Sequence, residues 1–206
     1  MHQLIIKDGI AVYVDAVLKA TGTFSNGRFD PTTRTDNATV ITVAQLPDFF
    51  EIGQFNWDGE KLIPKLEYEA DIIDAIAKKK IAEIDADTSK NIQSGFDCAV
   101  SGTSYHFSYD TFDQQNFSDS ANVANLIRSG VEGLPQSTPW NAYKNWTPES
   151  GGELVQLVFT ADSFIQLYTA GALAHKQACM AAGAARKEAL REAVASGASI
   201  AEIAAI

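Results

Sequence analysis

A chain of 206 residues suffices for one ordinary domain or two small ones, and its 46 % hydrophobic share supplies a packed core, which excludes wholesale disorder. The formal net charge of −10 excludes a nucleic-acid binder, whose basic face would release counterions from phosphate. Residues 1–94 hold 10 basic and 15 acidic side chains and residues 95–206 hold 6 and 11, so each half carries −5, a spread that serves solubility rather than a partner.

Cys98 and Cys179 stand alone, with no CxxC and no histidine at ligand spacing, and are expected as small apolar residues rather than a disulfide or a metal site. The opening "MHQLIIKDGIAVYVD" has too short an apolar run for a secretory leader, and the longest aliphatic stretch, "LVQLVF", is far below a membrane span. These features predict a soluble protein that folds in a reducing cytoplasm, without membrane insertion.

In chain order, the first 66 residues are rich in β-formers and turn residues and predict a small N-terminal β-rich domain. "GIAVYVDAVL" and "ATVITVAQL" have strand character, and the stretch between them holds the turn pairs Asn26-Gly27 and Asp30-Pro31. "FNWDGEKLIP" predicts a hairpin, with Phe55 and Trp57 before Asp58-Gly59 and Leu62 and Ile63 after; Asp-Gly suits a two-residue loop. From about Tyr68 the period changes. Ile73, Ile76, Ala77, Ile81, Ile84 and Thr88 share one stripe, which predicts a connecting amphipathic helix within 67–93, with Lys78 to Lys80 as a solvated face.

Residues 94–206 predict an α+β domain. "GFDCAV" and "TSYHFSYD" form a hairpin around Ser101-Gly102, with Phe96, Cys98 and Val100 on one face of the first strand and Tyr105, Phe107 and Tyr109 on one face of the second. A helix follows, with Phe117, Ala121, Ala124 and Ile127 in register, capped by Asp113 or Ser118 and stopped by Gly130. "LPQSTPWNAYKNWTPESGGE" is expected to be irregular, and "LVQLVFT" to be a strand. Thr160 then caps a long helix whose inner stripe runs Phe164, Leu167 or Tyr168, Gly171, His175, Ala178, Ala182, Ala189 and Ala193. A capping box, Ser199 to Glu202, opens a short last helix. The fold class is therefore α+β overall.

Three histidines and several carboxylates are candidates for chemistry. His106 lies on the opposite strand face from Tyr105 and Phe107; Asp110 shares that face but sits roughly 13 Å away by the rise per residue. A dyad needs a partner within hydrogen-bond reach and a third group to orient it, so His106 is expected to face solvent or a neighbouring side chain in a structural role. His2 is terminal, and His175 is expected to pack. "DADTSKNIQSGF" lacks the glycine and the glutamate of a calcium loop. No catalytic residue, cofactor or metal is expected. Trp140, Tyr143 and Trp146, spaced three apart, are the candidate glycan or receptor contact; the competing reading has them plug a loop onto the sheet.

The ordered set "NIQSGFDCAVSGTSYHFSYDTFDQQNFSDSAN", "PWNAYKNW", "LVQLVFTADSFIQLYTAGALAHKQAC" and "IAEI" resembles a domain of unknown function that recurs in tail and tail-fibre-region proteins of tailed bacteriophages and prophages. The resemblance covers about residues 78–206, and upstream "FNWDGEKLIP" resembles segments common in phage tail proteins. It implies a virion component of the tail: a baseplate protein, a fibre or the adaptor between them. Such a protein is made in the bacterial host cytoplasm, is not an enzyme, and has other tail proteins as partners. Tail parts follow rotational symmetry, so a homo-oligomer, trimer or hexamer, is expected. Competing readings are a fibre-assembly chaperone absent from the finished particle, a receptor-binding module through the three aromatics, and a polymer-cleaving enzyme with two carboxylates drawn from Asp97, Asp110, Asp113 and Asp119.

Overall fold

The computed structural model of the chain describes residues 2–14, 17–18, 24–25 and 38–206. The turn pairs Asn26-Gly27 and Asp30-Pro31 lie outside the described residues. The architecture is α+β, as the sequence predicts. The chain divides into two compact units: Met1–Lys78 with Ala198–Ala205, and Lys79–Gly197 with Ile206. Among the described residues, no helix is long and apolar enough to cross a membrane.

In the first unit, strands β1 (His2–Lys7) and β2 (Ile10–Val14) form a hairpin. Its loop is Asp8-Gly9, with φ of 52° and 78°, the paired positive values of a turn whose twist matches the strands. Short strands β3 (Val17–Leu18) and β4 (Phe24–Ser25) pair with each other. Strand β5 (Ala38–Val43) pairs with β1, and β6 (Phe55–Trp57) and β7 (Leu62–Pro64) complete a sheet in the order β5-β1-β2-β6-β7. The expected hairpin at Asp58-Gly59 is present, but its loop is four residues, 58–61, and not two. Only Gly59 takes positive φ there; Asp58 instead accepts the N–H groups of Lys61 and Glu60 on Oδ1, at 2.8 Å each. Those bonds hold its carboxyl below the usual carboxylate range. Leu4, Ile6, Ala11 and Phe55 are the buried core of this unit, with the Phe50 ring 5.3 Å and the Tyr68 ring 5.9 Å from that of Phe55.

Helix α1 (Leu66–Gln93) is 28 residues. Its buried positions are Ile72, Ile76 and Ile84, at multiples of four, so Ile72 replaces Ile73 at the head of the expected stripe. Lys78 and Lys79 are exposed, reaching Asp74 at 2.5 Å and Glu83 at 3.9 Å, as a solvated face does, whereas Lys80, expected on the same face, is half-buried and reaches Glu83 at 3.7 Å.

The second unit is built on a four-stranded antiparallel sheet, β11-β10-β9-β8. Strands β8 (Phe96–Val100) and β9 (Thr103–Phe107) close on Ser101-Gly102, with φ of 52° and 81°. Helix α2 (Thr111–Arg128) buries Phe117, Ala121 and Ala124. Its cap is neither Asp113 nor Ser118 but Asp110, whose Oδ1 accepts the Asp113 N–H at 2.8 Å. Asp110→Ala is therefore expected to lower the stability of this unit by about 1 kcal/mol in urea titrations, and Asp113→Ala by less than half of that.

The stretch expected to be irregular contains a seven-residue strand, β10 (Thr138–Lys144), paired along its length with β11 (Glu153–Phe159). Pro139 hid it, because a proline cannot donate to a ladder on both sides. The fold tolerates it because β10 meets β9 at the other end, where Tyr143 faces His106. Helix α3 (Ala161–Gln166) is capped by Thr160, which accepts the Ser163 N–H, and runs into a π-helical segment, Leu167–Leu173, and then α4 (Ala174–Ala195). Seven aromatic rings fill the core between sheet and helices: Phe96, Phe107, Tyr109, Phe117, Trp140, Phe159 and Phe164.

The π-helical segment corrects the expected stripe of the long helix. Phe164, Leu167 and Gly171 are buried as predicted, but beyond them the buried positions are Ala172, Gly183 and Leu190, while Ala178, Ala182 and Ala189 are exposed. A π turn inserts one extra residue, so every later inner position moves one place toward the C-terminus. The move is required. Gly183 sets its Cα against the Thr88 side chain of α1, flanked by the ion pairs Lys187–Asp85 and Arg186–Asp87, the latter at 3.0 Å. The last helix, α5 (Ile200–Ala205), opens on the expected box, in which the Ser199 N–H and hydroxyl donate to Glu202 at 2.8 and 2.7 Å and the Glu202 N–H returns to Ser199 Oγ.

Candidate functional site

The two-residue loop at Ser101-Gly102 sets the register of β8 on β9, and that register places Asp97 opposite His106. Asp97 Oδ1 lies 2.9 Å from His106 Nδ1. A carboxylate only accepts, so the shared proton sits on Nδ1. Beyond β10 the chain turns at Asn145, with φ of 51°, and returns Trp146 onto the outer face of the sheet. There the indole stacks on the imidazole, with centroids 3.6 Å apart and planes 5° from parallel. His106 is consequently only 7 % exposed, whereas Asp97 is 73 % exposed. The expectation of a solvent-facing histidine fails for this reason; the expectation of a neighbouring side chain holds, and the neighbours are Asp97 and Trp146.

Gly95 completes the arrangement. Its φ is 87°, and a Cβ there would sit 2.5 Å from both His106 Nε2 and the Phe107 carbonyl oxygen. Glycine is thus needed twice over, for the left-handed backbone and for the close approach. The edge of β8, the His106–Trp146 stack and the helical run Ala170 to Ala178 enclose an open cleft of about 580 Å³.

The structure does not gather the three candidate aromatics. Trp140 belongs to the core, its ring 4.2 Å from Phe117 and 5.3 Å from Phe164. Tyr143 has the opposite strand parity and faces His106 across the ladder, and Trp146 stacks on that histidine. Strand parity therefore separates Trp140 from Tyr143, and the turn at Asn145 carries Trp146, which lies beyond the strand, to His106. The carboxylates are likewise dispersed in role: Asp97 holds His106, Asp110 caps α2, and Asp119 accepts from Gln115 at 2.8 Å. Among the described residues, no hydroxyl, thiol or second carboxylate is hydrogen-bonded to His106 Nε2.

His175 has the packing role expected of it. Its Nε2 lies 3.1 Å from the carbonyls of Asn91 and Ile92, where it satisfies the orphan acceptors of the last turn of α1. Lys176 donates to Gln114 Oε1 at 2.9 Å, and the same amide donates to the Tyr109 carbonyl at 3.3 Å, tying the hairpin exit to the long helix. Both cysteines are free and half-buried; burial pushes the Cys98 thiol up. Asp97 was recoverable from the sequence, since partners across a two-residue loop at 101–102 share a constant sum of positions. Trp146 was not, because no local pattern reports where a returning loop lands.

A four-stranded antiparallel sheet backed on one face by helices, with a buried histidine under a tryptophan on the other, defines this half of the chain as an α+β domain. The chain belongs to the family described as Domain of unknown function (DUF4376), whose model matches residues 75–206. Neither the curated proteins nor the solved structures give a match to it.

Proposed function

We propose that the chain is a structural component of a bacteriophage tail, in the baseplate, a fibre or the adaptor between them, acting by protein–protein assembly and not by catalysis. The resemblance of "YHFSYD", "DQQNF" and the elements after them to tail-region proteins supplies the setting. The observation that carries a structural role is the use made of the one buried histidine. Asp97 and Trp146 hold His106 on two sides, and at the hairpin junction Asp110 caps α2 while the Gln114 amide bonds the Tyr109 carbonyl. On this reading His106, held between Asp97 and Trp146, serves as a strut.

On this reading the chain is made in the host cytoplasm, joins the tail of the virion, and assembles as a trimer or hexamer with other tail proteins around it. Mass spectrometry of purified particles is expected to find the chain in stoichiometric amount; its absence from infectious particles would instead identify an assembly chaperone. A monomeric mass by light scattering, both alone and in tail subassemblies, would remove the oligomer. A receptor-binding module is the second reading, favoured by the placement of Trp146 on a cleft. Binding of the isolated protein to host surface glycans, lost in Trp146→Ala, would establish it.

A further inference from the structure

We infer that the free edge of β8 is a docking groove for an extended segment of a partner protein, which adds to the sheet as a fifth strand and sets a lysine or arginine side chain against Asp97. Strand β8 is an edge: β9 is its only neighbour in the sheet, and among the described residues no main-chain bond reaches it from any other element. Val100 and Thr103 flank the two-residue loop and form the hydrogen-bonded closing pair. Alternation then directs the main-chain groups of Phe96, Cys98 and Val100 toward β9 and turns the N–H and C=O of Asp97 and Ala99 outward.

This edge differs from an ordinary one in what flanks it. Along its first half runs the cleft of about 580 Å³, and along its second half a hollow of about 400 Å³ bounded by Ser163, Gln166 and Leu167. The two have Ala170 in common, and together they line the strand on the side of the helical run from 163 to 178. The edge extends for about 16 Å, five residues at the strand rise. The helical wall is lined by Ala170, Gly171, Ala174 and Ala178, small residues that leave room for a backbone and its side chains. Exposed edges are normally blunted by charge, proline or cover; here the only cover is a trough. Strand addition to such an edge takes affinity from main-chain bonds and specificity from side-chain hollows.

Two observations fix the chemistry of the occupant. Asp97 is the only fully charged side chain lining the groove, and it stands on the strand to be augmented. His106, more than nine-tenths buried, lines the same groove beside Asp97 with the Trp146 ring stacked on it. The Asp97 carboxylate and the Trp146 ring together favour a cationic donor and disfavour an acidic segment. The inference stands apart from the tail assignment, since it concerns the isolated protein and an extended peptide of any source.

The test is an amide-resolved NMR titration of the whole chain with acetyl-Ser-Val-Thr-Val-Lys-Val-Thr-Ser-amide and with the same peptide bearing Glu in place of Lys. Expected are shifts confined to residues 94–101 and 163–178, slowed exchange of the Asp97 and Ala99 amides, and binding about tenfold weaker for the Glu peptide. Ala99→Pro removes one outward N–H while sparing the ladder to β9, because proline is accepted on the open side of an edge strand. Ala170→Trp fills the shared floor from an exposed position. Both variants are expected to keep the free-state spectrum elsewhere and to lose the peptide response. No shift at millimolar peptide, shifts centred on the other sheet edge at Leu154 and Val158, or equal binding of the two peptides would each overturn the inference.

Discussion

Phe117→Ala is expected to destabilise the second unit by about 4 kcal/mol, the range for an aromatic side chain removed from a core that cannot collapse around the vacancy. Phe117 is fully buried, and its ring meets four others: Trp140 at 4.2 Å, Phe96 and Tyr109 at 5.7 Å, and Phe164 at 5.9 Å. It enters from α2 and meets the sheet through Phe96 and Trp140 and the following helical run through Phe164. Since a domain is stable by only about 5–15 kcal/mol in all, that loss should lower the melting temperature of the unit by roughly 10 °C or more. Near-ultraviolet circular dichroism reports it directly, through Trp140. Phe117→Leu, which keeps most of the volume, should cost less than half as much. Equal effects of the two substitutions would mean that the ring contacts contribute little beyond filled space.

Gly95→Ala is expected to cost about 3 kcal/mol, nearly as much as Phe117→Ala, although only one methyl group is added. The left-handed backbone at φ 87° accounts for part of this, and the contact of the new carbon with the Phe107 carbonyl and His106 Nε2 for the rest. The two parts separate in a double variant. Replacing His106 by alanine as well relieves the contact with the ring but neither the backbone conformation nor the carbonyl. Most of the loss seen in Gly95→Ala should therefore persist in urea titrations of the pair, measured against His106→Ala alone. Full recovery would place the constraint in the imidazole.

Local rules made most of the second unit legible. Alternation placed Phe96, Cys98 and Val100 against Tyr105, Phe107 and Tyr109, and the same residues face the core. Thr160 and Ser199 cap where their spacing says they should. The misses share a cause: each depended on a partner distant in sequence. Strand β10 needs β11 to show that Pro139 is harmless, and the cap of α2 at Asp110 needed the true end of β9. Asp8-Gly9 carries the same signal as Asp58-Gly59, yet only the first forms a two-residue turn, because the second spends its aspartate on backbone donors. At the site, the Asp97–His106 contact follows from turn arithmetic, whereas the Trp146 lid and the groove along β8 arise from tertiary packing and leave no periodic trace.

The extra residue held between 167 and 173 makes the long helix behave as two segments geared by a fixed offset. Deleting a single amino acid within 167–173 would remove the extra residue and leave the distal part in place, whereas deleting one within 174–182 would keep the offset and swing that part by about 100° about its own axis. Ala184 and Arg191 would inherit the places of Gly183 and Leu190, driving a methyl group into Thr88 and a guanidinium into an apolar seat. An equivalent deletion in the exposed connection 129–137 would shorten a link and rotate nothing. Length variation among chains of this architecture should accordingly avoid that one stretch of helix and collect in such connections.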